Sequence, residues 1–300
     1  MKNTFLLPVL LCLVLIHVAA PLAFGQAIPP GVHITAVAET KACFWVGSTD
    51  GLWKICKKTN RAEHLTTANS GLPSQMITCI CAEPDGNLWI GTAAGILRYD
   101  NYTFYVMNAK NSGLPDDSIT ALVSDNDNNI WIGTLHGGVA QKLQFGKINV
   151  YRKANSVLPS DEVHSITKDS DGNIWVGCGN SGLALYRNGR WARLGSGSEI
   201  EGHRMLFVAK NANQYNLYCT DGSAFSIAGR TITRTAQATP LVSETSVKYS
   251  LAGNCFWIHG SNTLAATGGK AESQEIMARY NHIVAMLQNN EIASVTSKKN

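Results

Sequence analysis

The chain has 300 residues, a charged fraction of 15% and a formal net charge of +4 at pH 7. That charge is too weak and too scattered for a nucleic-acid footprint, and the low charged fraction argues against a disordered or highly helical protein. The length suits one domain behind a leader, with no room for a second.

The first 25 residues read as a signal peptide. Lys2 supplies the positive start, Phe5 to Phe24 is almost wholly apolar, and Ala23 and Gly25 are small residues before Gln26. An uncleaved anchor is the alternative reading, because the apolar run approaches spanning length. Nothing later is long and apolar enough to cross a bilayer, so no stable membrane span is expected after cleavage. The mature chain, 26–300, is therefore expected to be periplasmic or secreted.

From there the chain repeats. DGNLWIGT from Asp85, DNNIWIGT from Asp127 and DGNIWVGC from Asp171 recur at a period of roughly 43 residues, the length of a four-stranded supersecondary unit. Trp45 extends the series towards the N-terminus; Tyr218 and Trp257 extend it towards the C-terminus. Before each strong copy lies an alternating run (ITCICA from Ile77, ITALVS from Ile119, VHSITK from Val163), which predicts a half-buried strand. The Asp-Gly and Asp-Asn pairs then predict a tight turn, with the Trp strand returning as the second arm of a hairpin. A third strand follows (ILRYD from Ile96, LALYR from Leu183), then a looser fourth (FYVMNA from Phe104). NSGLP from Asn69, NSGLP from Asn111 and NSVLP from Asn155 mark the crossovers between units. Their Leu72, Leu114 and Leu158 are expected either to wedge between adjacent units or to anchor the loop on the nearest sheet. The segment from His282 looks like the first hairpin of a seventh unit. The expectation is an all-β fold: a single β-propeller of six to seven four-stranded blades, the last partial or closed by the termini.

Eight cysteines are present, and Cys12 goes with the leader. The remaining set (Cys43, Cys56, Cys79, Cys81, Cys178, Cys219 and Cys255) is odd, so it cannot pair fully within one chain. These residues read as small buried apolar groups, Cys219 standing where other repeats carry Val or Ile; one bridge is possible and the sequence does not assign it. No metal or cofactor site is expected. Cys79-Ile80-Cys81 has the wrong spacing for a zinc knuckle, and Asp169 to Asn173 opens like a calcium loop but lacks its later Gly and Glu. No nucleotide-binding glycine loop or nucleophile elbow is present.

The combination NSGLP, then ITALVSDNDNNIWIGT, then a Gly-rich turn resembles the two-component regulator propeller repeat. The resemblance is specific over Asn69 to Leu194 and weaker outside it. It implies an extracytoplasmic sensor-type propeller and a binding role. It supplies no catalytic residues, because the repeat motif is structural. Sensors of that family continue into membrane, kinase and output parts; none is evident here.

Propellers bind ligands at a loop-lined mouth of the central channel, a fold-level expectation. In an antiparallel blade the crossovers and the loops between second and third strands open on one face. Asp50, His136, Asn180, Asp221 and Asn262 lie in those loops and are the candidate ligand-binding residues; Asp116, Asp117, Asp161 and Glu162 follow the crossovers. The plainer reading is that all are solvated turn residues. His136 stands out because Gly137 and Gly138 would let a ligand approach. The register tryptophans are expected to pack between blades, whereas Trp53 and Trp191, off that register, are the better candidates for an exposed aromatic surface.

Three functions compete. The first is an exported, non-enzymatic propeller that binds a glycan, peptide or partner protein at the loop face. The second is a lyase-type propeller enzyme, which would need a histidine and acidic or metal-binding residues converging on one mouth; His136, His203 and His259 are the histidines to watch, and His136 and His259 on one mouth with Asp50 or Asp221 in hydrogen-bond reach would favour it. The third is a structural interaction remnant of a sensor.

Overall fold

The computed structural model describes residues 32–83, 85–195, 199–211, 214–229, 231–235, 246–251, 254–259, 262–265, 278–279, 281–283 and 293–294, with backbone alone in the strands between 246 and 265 and at 293–294. The leader lies outside these residues. The chain is all-β in four-stranded units. Blade one holds β1 (Ile34–Glu39), β2 (Cys43–Ser48), β3 (Gly51–Cys56) and β4 (Arg61–Leu65). Blade two holds β5 (Ile77–Ala82), β6 (Leu88–Thr92), β7 (Gly95–Tyr99) and β8 (Phe104–Met107). Blade three holds β9 (Ile119–Ser124), β10 (Ile130–Thr134), β11 (Val139–Lys142) and β12 (Ile148–Tyr151). Blade four holds β13 (Ser165–Lys168), β14 (Ile174–Gly177), β15 (Leu183–Arg187) and β16 (Arg190–Leu194). Blade five holds β17 (Met205–Asn211), β18 (Gln214–Cys219), β19 (Ala224–Ala228) and β20 (Thr231–Arg234). A sixth unit has β21 (Ser246–Leu251), β22 (Asn254–His259) and β23 (Asn262–Ala265), and the short β24 (Ala293–Ser294) follows. Within every unit, successive strands pair antiparallel.

The blades are held together side by side by their large apolar residues. Trp45, Trp89, Trp131 and Trp175 are each at most 3% exposed and occupy successive clusters between one blade and the next. Leu72, Leu114 and Leu158 sit in the same interblade clusters, so they are wedges. A buried indole of this kind is worth about 3–5 kcal/mol against alanine.

The crossover motif has a physical reason in its first two residues. Asn69, Asn111 and Asn155 each accept a backbone N–H three residues earlier, from Thr66, Asn108 and Arg152, and donate to a carbonyl five residues earlier. Ser70, Ser112 and Ser156 donate to the carbonyls of those same three residues at 2.6 Å. Each Asn-Ser pair thereby folds its crossover into a turn that delivers the Leu to the blade interface.

The repeated glycine after each Trp sets the spacing between blades. A Cβ on Gly133 would lie 2.7 Å from Val163, and one on Gly177 would lie 2.8 Å from the Met205 Cβ, in each case at the next blade's inner edge. Blade five breaks this rule. Cys219 N donates to Ser223 O as Cys178 N donates to Gly182 O, and Tyr218 lies opposite Ala224 as Gly177 lies opposite Leu183. Tyr218 therefore stands at the glycine position rather than the Trp position predicted for it, and it stacks on Phe207 at 4.7 Å. Likewise Cys219 occupies the Cys178 and Thr134 register, not a Val or Ile one.

The sixth unit takes a different seat. β21 pairs in parallel with β1, from Ala36 opposite Lys248 to Glu39 opposite Leu251, and packs against β5, while β22 reaches β13. Its hairpin is thus drawn towards the ring axis. β24 pairs in parallel with β4 on the outer side of the same sheet, so blade one carries a strand from later in the chain at each edge. The hairpin expected from His282 is not what the described residues form: Asn281, His282 and Ile283 are helical.

Candidate functional site

In blades one to three the crossover and the second-to-third-strand turn meet on one face through a backbone hydrogen bond. Gly51 N donates to Gln75 O, Gly95 N to Asp117 O and Gly138 N to Asp161 O. These contacts put crossover carboxylates beside the turns, as the topology predicted.

On blades three, four and five this face carries histidine–carboxylate pairs. His136 lies in the β10–β11 turn; its backbone N–H donates to Asp116 Oδ2 at 2.9 Å and its ring Nδ1 is 3.6 Å from the same oxygen. His164, at the start of blade four, places Nε2 at 2.6 Å from Glu162 Oε1, and Arg204 approaches that oxygen at 4.0 Å. His203, just before β17, places Nδ1 at 2.5 Å from Asp221 Oδ2 in the β18–β19 turn. Burial works against ionisation of Asp221, but the Ser223 backbone N–H and the His203 contact outweigh it and hold the carboxyl below its ordinary range. The His136 ring is 75% exposed, so the arc opens to solvent.

The sequence-derived candidates fare unequally. His136 and Asp221 belong to this arc. Asp50 contributes its backbone: its carbonyl accepts from His64 Nε2 at 2.7 Å. Asn180 accepts Gly202 N at 2.8 Å through its carbonyl and is exposed. Asn262 opens β23 opposite His259, and its side chain is outside the described residues. None of the described candidates pairs with another; each bonds within its own blade or to the adjoining crossover. Asp116 and Glu162 pair with histidines, whereas Asp117 and Asp161 spend a carboxylate oxygen each on the N–H of Ala109 and Lys153. His203 stands among the histidines of the lyase reading but not among the ligand-binding candidates, and His164 was missed, because neither lies in a second-to-third-strand loop; a histidine within two residues of a strand start after the crossover was the available signal.

Two readings are corrected. Gly137 is required by packing alone, because a Cβ there would lie 2.8 Å from Pro115. Trp53 is 4% exposed and stacks on His64 at 4.0 Å, and Trp191 packs edge-on against Trp131 at 5.9 Å, so neither forms an exposed aromatic surface.

The opposite face uses its acids differently. Asp125 and Asp169 each accept from two backbone N–H groups, an Asn amide and the indole Nε1 of the following Trp, the last at 2.9 Å in both blades. At the same register blade one carries Thr40, one residue after Glu39, which pairs with Lys57 and Arg279, and blade two carries Glu83, whose carboxyl is pushed up chiefly by burial and next by Asp85. A cavity of about 560 Å³ lies there between blades two and three, bordered by Glu83, Trp89, Arg98, Met107, Lys142 and Gln144. Its cause is one side chain: Lys142 stands at the register of Tyr99 and Tyr186, the tyrosines that cover Trp45 and Trp131. Among the described residues, no group of three or more His, Cys, Asp and Glu side chains is arranged to hold a metal ion, and no helix is long and apolar enough to cross a membrane.

Comparison with known proteins agrees with this architecture. A search of curated proteins gives no significant match. The extracellular domain of a protein described as a hybrid two component system of B. thetaiotaomicron superposes with a TM-score of 0.59 at 16% identity, over 78% of this chain and 33% of its own length. This chain thus spans about a third of that sensor domain. Virginiamycin B lyase from Staphylococcus aureus superposes with a TM-score of 0.56 at 16% identity, over 77% of this chain and 79% of its own. A streptogramin B lyase gives 0.57 at 14% identity, covering 80% and 81%. At such identities the likeness is one of fold. The repeats themselves are more specific: residues 71–94, 113–136 and 157–180 each match the two component regulator propeller family, and the chain carries propeller repeats of that kind.

Proposed function

We propose that this chain is an exported, sensor-like binding propeller that acts without catalysis, taking a glycan, peptide or partner protein on its crossover face, in the periplasm or outside the cell. The observation that supports this reading is the arc of His136–Asp116, His164–Glu162 and His203–Asp221 on three consecutive blades. Such pairs offer donors and acceptors at fixed spacing on a rigid scaffold, which is how a repeat fold acquires specificity without altering its core. The repeat family and the extracellular sensor domains of the same fold support an extracytoplasmic setting.

A glycan and peptide array probed with the purified chain tests the reading. Binding of one ligand class, lost on His136→Ala and His203→Ala, is the expected result; an array with no bound class refutes it and favours the structural-remnant reading. The lyase alternative draws on the 2.5 Å contact of His203 with Asp221, an arrangement suited to proton transfer. It is weakened because His136 is partnered by Asp116 rather than by Asp50 or Asp221. Linearisation of a streptogramin B by the chain, followed by mass spectrometry, would establish it.

A further inference from the structure

Cys43 and Cys56 are direct partners across the hairpin of β2 and β3. The next pair outward, Ala42 and Lys57, is hydrogen-bonded, Lys57 N donating to Ala42 O at 2.9 Å. Antiparallel pairs alternate, so Cys43 and Cys56 form a non-hydrogen-bonded pair, in which Cα atoms approach to about 4.5 Å and side chains lie closest. A disulfide accepts Cα separations of about 4.4–6.8 Å, so this pair can be bridged without moving the backbone. Both thiols are free in the structure.

The other described cysteines are not so placed. Cys79 and Cys81 are two residues apart on one strand. Cys178 and Cys219 occupy equivalent turns of successive blades, and burial pushes both thiols up to about 12. Cys255 stands opposite Ser250 in backbone register, its side chain outside the described residues.

We infer that Cys43 and Cys56 form a cross-strand disulfide when the folded chain meets a disulfide oxidant. Cys56 is the attacking group: it is partly exposed, and hydrogen bonds from the Thr59 side chain and the Thr59 and Lys58 backbone lower its pKa. Its thiolate attacks one sulfur of the oxidant's disulfide and expels the other as a thiolate, giving a mixed disulfide. Cys43, whose thiol is held protonated mainly by burial, then loses its proton to solvent and attacks the Cys56 sulfur, releasing the second oxidant thiolate. The protein gives up two electrons and two protons, and the oxidant becomes two thiols. The bridge lies in the blade whose sheet β21 and β24 extend, beside Lys57, which holds Glu39 together with Arg279.

The test incubates the purified full chain with oxidised glutathione under native conditions, blocks remaining thiols and maps peptides without reduction. The expected product is a peptide linked through Cys43 and Cys56, reversed by dithiothreitol, with Cys79, Cys81, Cys178 and Cys219 still blocked as thiols. In Cys56→Ser, where the partly exposed position tolerates substitution, Cys43 stays a free thiol. Recovery of both residues as thiols, of Cys56 only as its glutathione adduct, or of either joined to another cysteine overturns the inference.

Discussion

The two faces of the ring use carboxylates to opposite ends. At the hairpin turns, Asp169 is 1% exposed and has four donors around it, the Trp175 indole among them. On the crossover face, Glu162 and Asp221 are 45% and 47% exposed, and each meets one histidine. The first arrangement converts a charge into a fastener between turn and core. The second leaves polar atoms facing solvent on a scaffold that does not need them for packing. Residue type alone does not separate the two; position in the blade does.

That contrast can be broken at its structural end first. Trp131→Ala empties a site shared with Tyr151, Tyr186 and Trp191, and should cost about 3–5 kcal/mol in denaturant unfolding. The same change at Trp89, which borders a cavity already open, should cost less. Asp169→Ala leaves buried donors unanswered and should cost about 2–3 kcal/mol.

Glu83→Gln sharpens the contrast within one face. The Glu83 carboxyl is raised in the folded chain, so its charged form opposes folding above that raised value, and the cost disappears as pH falls below the unfolded value. The Gln variant should therefore melt slightly higher than the parent at pH 7, by on the order of 0.5 kcal/mol or less, and the two should converge near pH 4. A variant less stable at pH 7 would contradict the assignment.

The smallest stability effect is expected on the crossover face. Asp221 is lowered, so its contribution is complete above the usual aspartate range and is lost as pH falls through the lowered value. Asp221→Asn should flatten the acid limb of the melting curve and leave the neutral melting temperature nearly unchanged, because the pair is half exposed.

Much of the ring was legible in the sequence. The Asp-x-x-x-Trp hairpins and the Leu of each crossover report buried packing directly, because a repeat must bury the same face each time. Tyr218 was misplaced because a count from Trp to Trp does not register a shortened turn, and in blade five β17 and β18 are joined between Asn211 and Gln214. The arc of histidine–carboxylate pairs was legible in part: loop position found His136 and Asp221, the crossovers gave Asp116 and Glu162, and His203 was named, whereas His164 and the pairings themselves depend on which turn each crossover passes over. The cavity beside Trp89 required comparison of Tyr99, Lys142 and Tyr186 at one register.

Calorimetric titration of the array ligand into the full chain, His203→Ala and Glu83→Gln measures the central claim most directly. A crossover-face site predicts at least a tenfold weaker Kd for His203→Ala, an effect of about 1.4 kcal/mol, with Glu83→Gln unchanged. Undiminished affinity in His203→Ala, or a loss confined to Glu83→Gln, would place binding on the other face and contradict the account.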